Sequence, residues 1–457
     1  MKVIKWIWNN FLFSFTIFLL AFIPLYPKLP LLDVVNTWVY VRAEDFIIAF
    51  AVLIWVIMLL LKKITLKTPL TLPILVFWII GGLATLHGVL LIFPTISDVF
   101  SNVAFLSFLR RVEYIFLFFI AFASIKNKNY TPYVIYALAS ILIAIALYGF
   151  GQKFLGFPAY LTMNEEFAKG IPIQLSQLSR VPSTFAGHYD LAAYLVLVVP
   201  ILTSVFFVFK NWITRVFLLT AIVLGFALIV MTVSRVSFVV LLLSMVMLLF
   251  LQKKRLLILV LFIITFLFLS LFPSLSSRFG NTLKEVNVLV DSKTGAALGE
   301  IKEVKPEYFK NKIIQRQFVS QEEVKQTTGS AIFPFALIPD NAILLVEPNE
   351  PTGEDLPQGT GYINLPLSPV LRRSPLYFTE ENNATDSAQA FYADNVVKRA
   401  YAYDLSFTTR FQGEWPKTIN AFKRNIFLGS GYASVTLAVD NNYLRILGES
   451  GLLGIIA

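Results

Sequence analysis

Six arginines are candidates for binding a phosphate-bearing ligand. A guanidinium group stays charged, and its planar fork of N–H donors matches two phosphate oxygens at once. An arginine beside an apolar run needs a local reason, and anion binding is one such reason. The alternative is an ordinary interfacial arginine whose side chain extends towards water. The six candidates are Arg110, Arg111, Arg180, Arg235, Arg278 and Arg410.

Two further residues have side chains able to accept a proton from a hydroxyl group. Asp440 opens the stretch Asp-Asn-Asn-Tyr-Leu, and His188 lies in the stretch Gly-His-Tyr-Asp. A positioned carboxylate or imidazole can act as a general base. Each residue also has a structural interpretation. Asp440 could cap the helix that follows it, and His188 could be a hydrogen-bonded residue at a membrane interface.

Two more features of the sequence bear on these candidates. Arg235 lies between two apolar runs with only Thr232, Ser234 and Ser237 as polar neighbours, which favours a functional role. Arg445 and Glu449 are four residues apart on a predicted helix, so we expect them to form an ion pair. We interpret that pair as structural.

The composition is that of a membrane protein. Of 457 residues, 57% are hydrophobic and only 14% are charged, whereas soluble domains carry about 25% charged residues. The chain has no cysteine and two histidines. Disulfides, thiolate metal sites and a polyhistidine metal centre are therefore not expected, and we predict a protein without a metal or another cofactor.

The formal net charge of +10 is unevenly distributed. Residues 284–404 hold 12 Lys and Arg against 17 Asp and Glu, which gives −5 and leaves +15 for the rest of the chain. A basic membrane part suits anionic lipids or phosphate groups. No motif supports nucleic-acid binding, so nucleic acid is not an expected partner.

Apolar runs of the length needed to span a bilayer, about 17–25 residues, recur along the chain. A tight turn at Thr232-Val-Ser-Arg235 is expected to divide the longest run. A tenth run begins near Asn442 and ends with the sequence, so we expect a truncated last span and a fragment of a longer protein. The nine complete runs lie near residues 6–25, 45–61, 70–93, 105–125, 131–150, 187–209, 216–232, 236–251 and 256–273.

Lysine and arginine in the short loops predict the orientation. Five alternate segments contain 12 Lys and Arg and no Asp or Glu, and such segments face the cytoplasm. The N-terminus is then cytoplasmic, while the 151–186 loop and residues from about 274 to 441 lie outside. The predicted location is the cytoplasmic (inner) membrane, which the chain crosses several times. The basic segments are 1–5, 62–69, 126–130, 210–215 and 252–255.

The predicted fold is an all-α polytopic membrane bundle of about ten spans with an α+β extracytoplasmic insertion. We divide it into a bundle at 1–283, an insertion domain at 284–404, and a motif segment with the last helix at 405–457. Within the insertion, helices are expected near 301–328 and 386–404. Turn residues separate short β-like pieces there. The 151–186 loop carries several aromatic residues and is expected to pack on the mouth of the bundle.

Three segments together resemble the bacterial O-antigen ligase and polymerase superfamily, which includes related protein O-oligosaccharyltransferases. The first runs from Arg180 through His188 into a span, and the second is Thr232-Val-Ser-Arg235. The third contains Arg410, Trp415, Gly429-Ser-Gly431, Asp440-Asn-Asn-Tyr-Leu and Glu449-Ser-Gly-Leu-Leu-Gly454. The resemblance covers about 180–273 and 405–457 and does not cover the insertion.

The resemblance implies metal-independent glycosyl transfer on the outer face of the cytoplasmic membrane. The donor would be an oligosaccharide on undecaprenyl pyrophosphate, and the acceptor a glycan, a lipid or a protein hydroxyl. Arg180 and Arg235 would hold the pyrophosphate and stabilise the charge of the leaving group, with Arg278 and Arg410 as second candidates. Asp440 would be the general base, with His188 as the alternative.

The last motif departs from the ligases of this family. Ligases commonly have a histidine before Asn-x-x-Leu, whereas this chain has Asp440, which favours a polymerase over a ligase. A transporter or flippase for lipid-linked or polyanionic substrates is the alternative function. Inverted repeats and helices broken at mid-membrane are typical of transporters, and neither is evident in the sequence. A sensor is a third interpretation, but the cytoplasmic loops are only a few residues long.

Overall fold

The structure is a computed structural model, in which two compact units are distinguished, one comprising 1–279 with 418–457 and the other 280–417. The described residues of the first unit are 10–97, 99–125, 128–162, 165–176, 179–271, 275, 418–435 and 441–457. Those of the second are 283–291, 297–304, 313–315, 343–348, 362–364, 370–371, 376–379, 387–391, 395–403 and 409–417. Each unit is described by itself.

The first group of helices in the larger unit packs around aromatic side chains. Trp55 and Phe119 are almost fully buried in its core, and the Trp55 indole N–H donates a 3.2 Å hydrogen bond to the carbonyl of Phe119. That bond satisfies a polar group that lipid would leave unpaired. The helices are α1 (Phe11–Leu25), α2 (Ala43–Leu60), α3 (Thr71–His87, continuing in tighter and wider turns to Thr95) and α4 (Ser101–Ser124).

A second group of helices packs around aliphatic side chains. Its core includes Leu142, Leu195 and Leu228, all fully buried. Gly225 lets its helix approach closely, because a Cβ there would lie 2.8 Å from Val199. The helices are α5 (Thr131–Phe154), α6 (His188–Phe206), α7 (Trp212–Thr232), α8 (Arg235–Leu251) and α9 (Arg255–Leu271).

Five helical segments are long and apolar enough to cross a membrane, judged among the described residues. They identify a membrane-embedded protein. A helix overlaps each of the nine complete apolar runs, and α11 (Asn442–Ile456) overlaps the predicted start of the tenth. The five segments are Ala43–Leu60, Thr71–Thr95, Thr131–Phe154, His188–Phe206 and Trp212–Thr232.

The described part of the smaller unit contains a nine-stranded sheet. The order is β5-β10-β9-β6-β4-β3-β11-β7, and β8 also pairs with β11. β3 and β11 pair antiparallel over nine residues. The strands are β3 (Leu283–Asp291), β4 (Ala297–Val304), β5 (Ile313–Gln315), β6 (Ile343–Pro348), β7 (Tyr362–Asn364), β8 (Val370–Leu371), β9 (Leu376–Thr379), β10 (Ser387–Phe391) and β11 (Asn395–Tyr403).

The two helices predicted for the insertion are wrong wherever the structure describes those residues. Residues 301–304 and 313–315 belong to β4 and β5, and residues 387–391 and 395–403 form β10 and β11. The sequence of β11, NVVKRAYAY, is rich in β-branched and aromatic residues, which favour a strand. Pairing with β3 outweighs the helical periodicity that we saw there.

A β-hairpin lies at one end of the helices of the larger unit. A hairpin of β1 (Pro30–Val34) and β2 (Thr37–Arg42) joins the end of α1 to the start of α2. Asn102, in the first turn of α4, donates a 2.8 Å hydrogen bond to the carbonyl of Val35 in this hairpin. We call this end of the unit the hairpin end.

The segment between α5 and α6 also packs at the hairpin end, as predicted for the 151–186 loop. Thr184 donates to the carbonyl of Pro24 at 2.5 Å, near the end of α1. The side chain of Gln152 donates to the carbonyl of Ser183 at 2.9 Å, which ties the segment to the last turn of α5. These bonds satisfy buried backbone groups of an irregular segment.

The C-terminal part of the chain docks on α3 through residues without bulky side chains. Helix α10 (Trp415–Arg424) is followed by a turn, and Gly431 in that turn lies against Ala84 and Gly88 of α3. The turn also pairs with α11, where the N–H of Gly431 donates to the carbonyl of Glu449 at 2.9 Å. At Gly451 the backbone of α11 leaves the helical conformation, with φ 65° and ψ −163°.

Gly88→Ala tests this docking. A Cβ at Gly88 would lie 2.4 Å from the carbonyl oxygen of Ser430, whereas one at Gly82 would lie 3.5 Å from Phe108, an ordinary contact. Because overpacking costs about 1–3 kcal/mol, we expect Gly88→Ala to lower the thermal unfolding midpoint in detergent. Gly82→Ala, the matched control, is expected to leave it unchanged, and equal midpoints for the two variants would contradict the docking.

Candidate functional site

The structure brings Arg180 and His188 together at the hairpin end. Nη1 of Arg180 lies 2.8 Å from Nε2 of His188 and 3.4 Å from the hydroxyl of Tyr189. His188 is the first residue of α6 and is 5% exposed. The sequence placed these two residues in one motif, and the fold places their side chains in contact.

The contact determines which nitrogen of His188 carries the proton. A guanidinium group can only donate hydrogen bonds, so Nε2 of His188 accepts and the proton of the neutral ring is on Nδ1. To act as a general base through Nε2, His188 would need the lone pair that already accepts the hydrogen bond from Arg180. The geometry therefore favours His188 as a residue that holds Arg180 in position.

Arg235 lies at the turn predicted between α7 and α8, and that turn is confirmed. α7 ends at Thr232 and α8 begins at Arg235, which is half-buried. The N–H of Val181 donates to the carbonyl of Met231 at 3.2 Å. This bond joins the segment that carries Arg180 to the end of α7, four residues before Arg235.

Left-handed backbone occurs in the segment that carries Arg180, in the α7–α8 turn and in the docked C-terminal turn. Ser183, Val233 and Ala433 have φ values of 52°, 56° and 64°, in the left-handed region. Such conformations cost about 1–3 kcal/mol each and persist where the surroundings enforce them, often at functional sites. The cost is highest for a β-branched residue such as Val233. The fold maintains these turns despite their strain.

A buried ion network extends the site beyond the residues that the sequence indicated. Nζ of Lys28 pairs with the carboxylate of Glu44, which also accepts from Arg42 at 3.3 Å. The side chains of Lys28 and Glu44 are 9% and 5% exposed. Burial lowers the pKa of the Lys28 ammonium, and the Glu44 carboxylate opposes that effect. Arg42 also donates to the hydroxyl of Thr162 at 3.3 Å.

A second pair joins α4 to the same network. Arg110 donates to the carboxylate of Asp45 at 3.1 Å and to the carbonyl of Tyr40 at 3.2 Å. Asp45 also accepts from the backbone N–H of Arg42 at 2.8 Å, which caps the start of α2. Arg110 therefore binds the hairpin through Tyr40 and the start of α2 through Asp45.

Sequence reasoning missed the partners in this network. Lys28 follows α1 closely, and Arg42, Glu44 and Asp45 lie at the start of α2, so each resembles an ordinary interfacial charge. The available signal was the presence of both signs of charge in the short polar stretch between the first two apolar runs. Nothing in the sequence paired Lys28 with Glu44 across 16 residues.

The remaining predicted site residues lie elsewhere or outside the described residues. Arg410 is in a helical turn, Thr409–Glu414, of the smaller unit, and it is half-buried. Arg278 and Asp440 are outside the described residues. The cap of α11 is Asn441, whose side-chain oxygen accepts from the N–H of Leu444 at 3.1 Å. The capping role that we considered for Asp440 therefore belongs to its neighbour.

The predicted pair of Arg445 and Glu449 is confirmed, with Nε of Arg445 3.2 Å from Oε1 of Glu449. Glu449 is fully buried and also accepts from the backbone N–H of Ala433 at 3.1 Å. It therefore connects α11 to the docked turn. Within the described ranges, no group of three or more His, Cys, Asp or Glu side chains is arranged to hold a metal ion.

Comparison with family models, with curated proteins and with solved structures finds no match to this chain.

Substitutions of Lys28 and Glu44 test the ion network. Glu44→Gln leaves Lys28 and Arg42 without their carboxylate, and an uncompensated buried charge costs about 3–5 kcal/mol. Lys28→Met is expected to destabilise less, because Glu44 keeps Arg42. The double variant should lose less stability than the sum of the single variants, measured by thermal unfolding in detergent.

The control is Lys63→Met, at an exposed position beyond the far end of α2. It removes the same charge and should leave the unfolding midpoint unchanged. Additive losses for Lys28 and Glu44 would show that the two side chains do not interact.

Proposed function

We propose that this protein transfers a glycan from an undecaprenyl-pyrophosphate donor to a hydroxyl acceptor, as in the O-antigen ligase and polymerase superfamily. The proposal includes polymerisation of such glycans for surface polysaccharide, including lipopolysaccharide. The observation that carries it is the contact of Arg180 with His188, in a segment bonded to the end of α7. A guanidinium held in this way suits a pyrophosphate at the end of a membrane-embedded unit.

Arg180 and Arg235 are the residues that we assign to the pyrophosphate, with Arg278 and Arg410 as further candidates. When the glycosidic bond to the carrier breaks, negative charge develops on the leaving phosphate. Guanidinium groups already fixed in place stabilise that charge without reorganising. The bond to His188 and the enforced turn at Val233 support such fixed positions.

The base that takes the proton of the acceptor hydroxyl is, in this proposal, Asp440. One observation supports it over His188. Nε2 of His188 already accepts from Arg180, so the lone pair that a base would need is engaged. The reaction needs no metal ion or other cofactor, since charge is stabilised by arginine and the proton is taken by a carboxylate.

The membrane arrangement is part of the proposal. We propose that the ten apolar runs are spans, that the N-terminus is cytoplasmic and that the hairpin end faces the outside of the cytoplasmic membrane. Basic short loops between the other helix ends support this orientation. The insertion is then extracytoplasmic, on the same side of the membrane as the lipid-linked donor and its glycan, lipid or protein acceptor.

Arg235→Ala tests the reaction, with Arg255→Ala as a matched control. Each arginine is the first residue of its helix, Arg235 in α8 and Arg255 in α9. Loss of one charge-stabilising donor lowers turnover by about 100–1,000-fold. We expect this loss for Arg235→Ala alone, measured as transfer from purified lipid-linked donor with product size read by mass.

Retained transfer in Arg235→Ala would remove this residue from the mechanism. The transporter or flippase function would be favoured if wild-type protein moved the donor across the bilayer of proteoliposomes without transferring its glycan.

Asp440→Asn separates catalysis from binding. A general base contributes about 10²–10⁴-fold to the rate, and it acts mainly in the transition state. We therefore expect kcat to fall by a factor in that range while the Kd for the donor changes little. Asn441→Ala is the control, because loss of a cap costs about 0.5–2 kcal/mol of stability and should spare chemistry. Equal changes of kcat and donor affinity in Asp440→Asn would contradict its role as base.

A further inference from the structure

A second basic cluster lies where the C-terminal turn docks on α3 and α4. The guanidinium carbon of Arg111 is 5.9 Å from the centre of the Tyr432 ring. Arg445, on α11, is linked to the same turn through Glu449, whose Oε1 accepts from Nε of Arg445 at 3.2 Å and from the N–H of Ala433, next to Tyr432, at 3.1 Å. Guanidinium groups from α4 and from α11 are therefore both held at this turn.

These two arginines differ from Arg42 and Arg110 in how their donors are used. Arg42 and Arg110 bind carboxylates and other acceptors. Among the described residues, Arg111 makes no hydrogen bond or ion pair, and Arg445 uses only Nε, in its bond to Glu449. The terminal N–H groups of both side chains remain available.

Glu449 builds this arrangement from inside the protein. Its side chain is fully buried, and its Oε1 accepts both from Arg445 and from the N–H of Ala433, next to Tyr432. Because Glu449 binds only Nε of Arg445, the N–H groups of Nη1 and Nη2 can donate to another partner. One carboxylate against two guanidinium groups leaves one positive charge in the cluster, which an anion would neutralise.

Tyr432 is the buried aromatic side chain beneath the cluster. It is 2% exposed and packs against Phe108, with 5.8 Å between the ring centres. Burial raises its pKa to about 12, so the hydroxyl stays protonated and adds no negative charge. The uncharged ring therefore leaves the net positive charge of the cluster to an anion.

We propose that Arg111 and Arg445 form a phosphate-binding subsite for a lipid, with Glu449 as a positioning residue. The phosphate belongs either to the carrier lipid of the glycan donor, an identification that rests on the proposed function, or to an anionic phospholipid of the bilayer. In both cases the guanidinium forks bind phosphate oxygens, and the lipid chain follows the apolar surface.

The test measures binding to the full chain in detergent, with no acceptor present. The probes are undecaprenyl pyrophosphate and phosphatidylglycerol, each titrated separately by calorimetry, and inorganic pyrophosphate is the competitor. Because each charge-assisted pair is a strong interaction, we expect Arg111→Gln and Arg445→Gln to raise the Kd at least about tenfold. Arg111→Lys keeps the charge without the fork and should lose less.

Lys63→Gln is the charge-matched control and should leave the Kd unchanged. The lipid that binds more tightly to wild-type protein identifies the source of the phosphate. Unchanged binding of both lipids in Arg111→Gln, or no binding of either lipid by wild-type protein, would overturn the subsite.

Glu449→Gln separates positioning from support of the fold. If Glu449 acts through Arg445, the substitution weakens binding in wild-type protein and has no further effect on binding in the Arg445→Gln background. An equal effect in both backgrounds would assign Glu449 to the fold alone. If wild-type protein binds the lipid but transfers no glycan, the result counts against the proposed reaction and still supports this subsite.

Discussion

Charge buried in a low-dielectric environment is the constraint on which the hairpin end depends. Lys28, Glu44 and Arg42 lie together beside apolar helices, and none of them is stable there without its partners. Their pairing fixes the end of α1 against the start of α2, and Thr162 brings in the segment before α6. The same segment carries Arg180. An ion network that supports the fold therefore also supports the residues assigned to the donor.

A second constraint is close backbone contact between the C-terminal turn and α3. Without water, the backbone groups of an irregular turn need partners within the protein. The turn and the broken helix α11 pair with each other because close approach is possible at Gly429, Gly431 and Gly451. At Gly88, the absence of a Cβ lets the turn contact α3. The basic cluster around Tyr432 lies at this break.

The two basic sites use arginine in different ways. Arg180 is held by a neutral histidine, which orients the guanidinium without cancelling its charge. Arg445 is held by a carboxylate through Nε, which cancels one charge and leaves the terminal donors. Counted with Arg111, the second site also keeps one net positive charge, so the two sites differ in which donors are engaged and not in their net charge.

Composition and apolar run length predicted a helical membrane protein, because hydrocarbon allows few backbone arrangements. Local patterns also predicted the turn before Arg235 and the pair of Arg445 with Glu449, since both depend on near neighbours. The helices expected in the insertion failed at β11, where pairing with a distant strand decides the conformation. Only the tertiary structure could join Lys28 to Glu44, Arg180 to the α7 end, or Arg111 to Tyr432. Those contacts link separate elements, and burial of charge and close packing, which no local pattern encodes, select them.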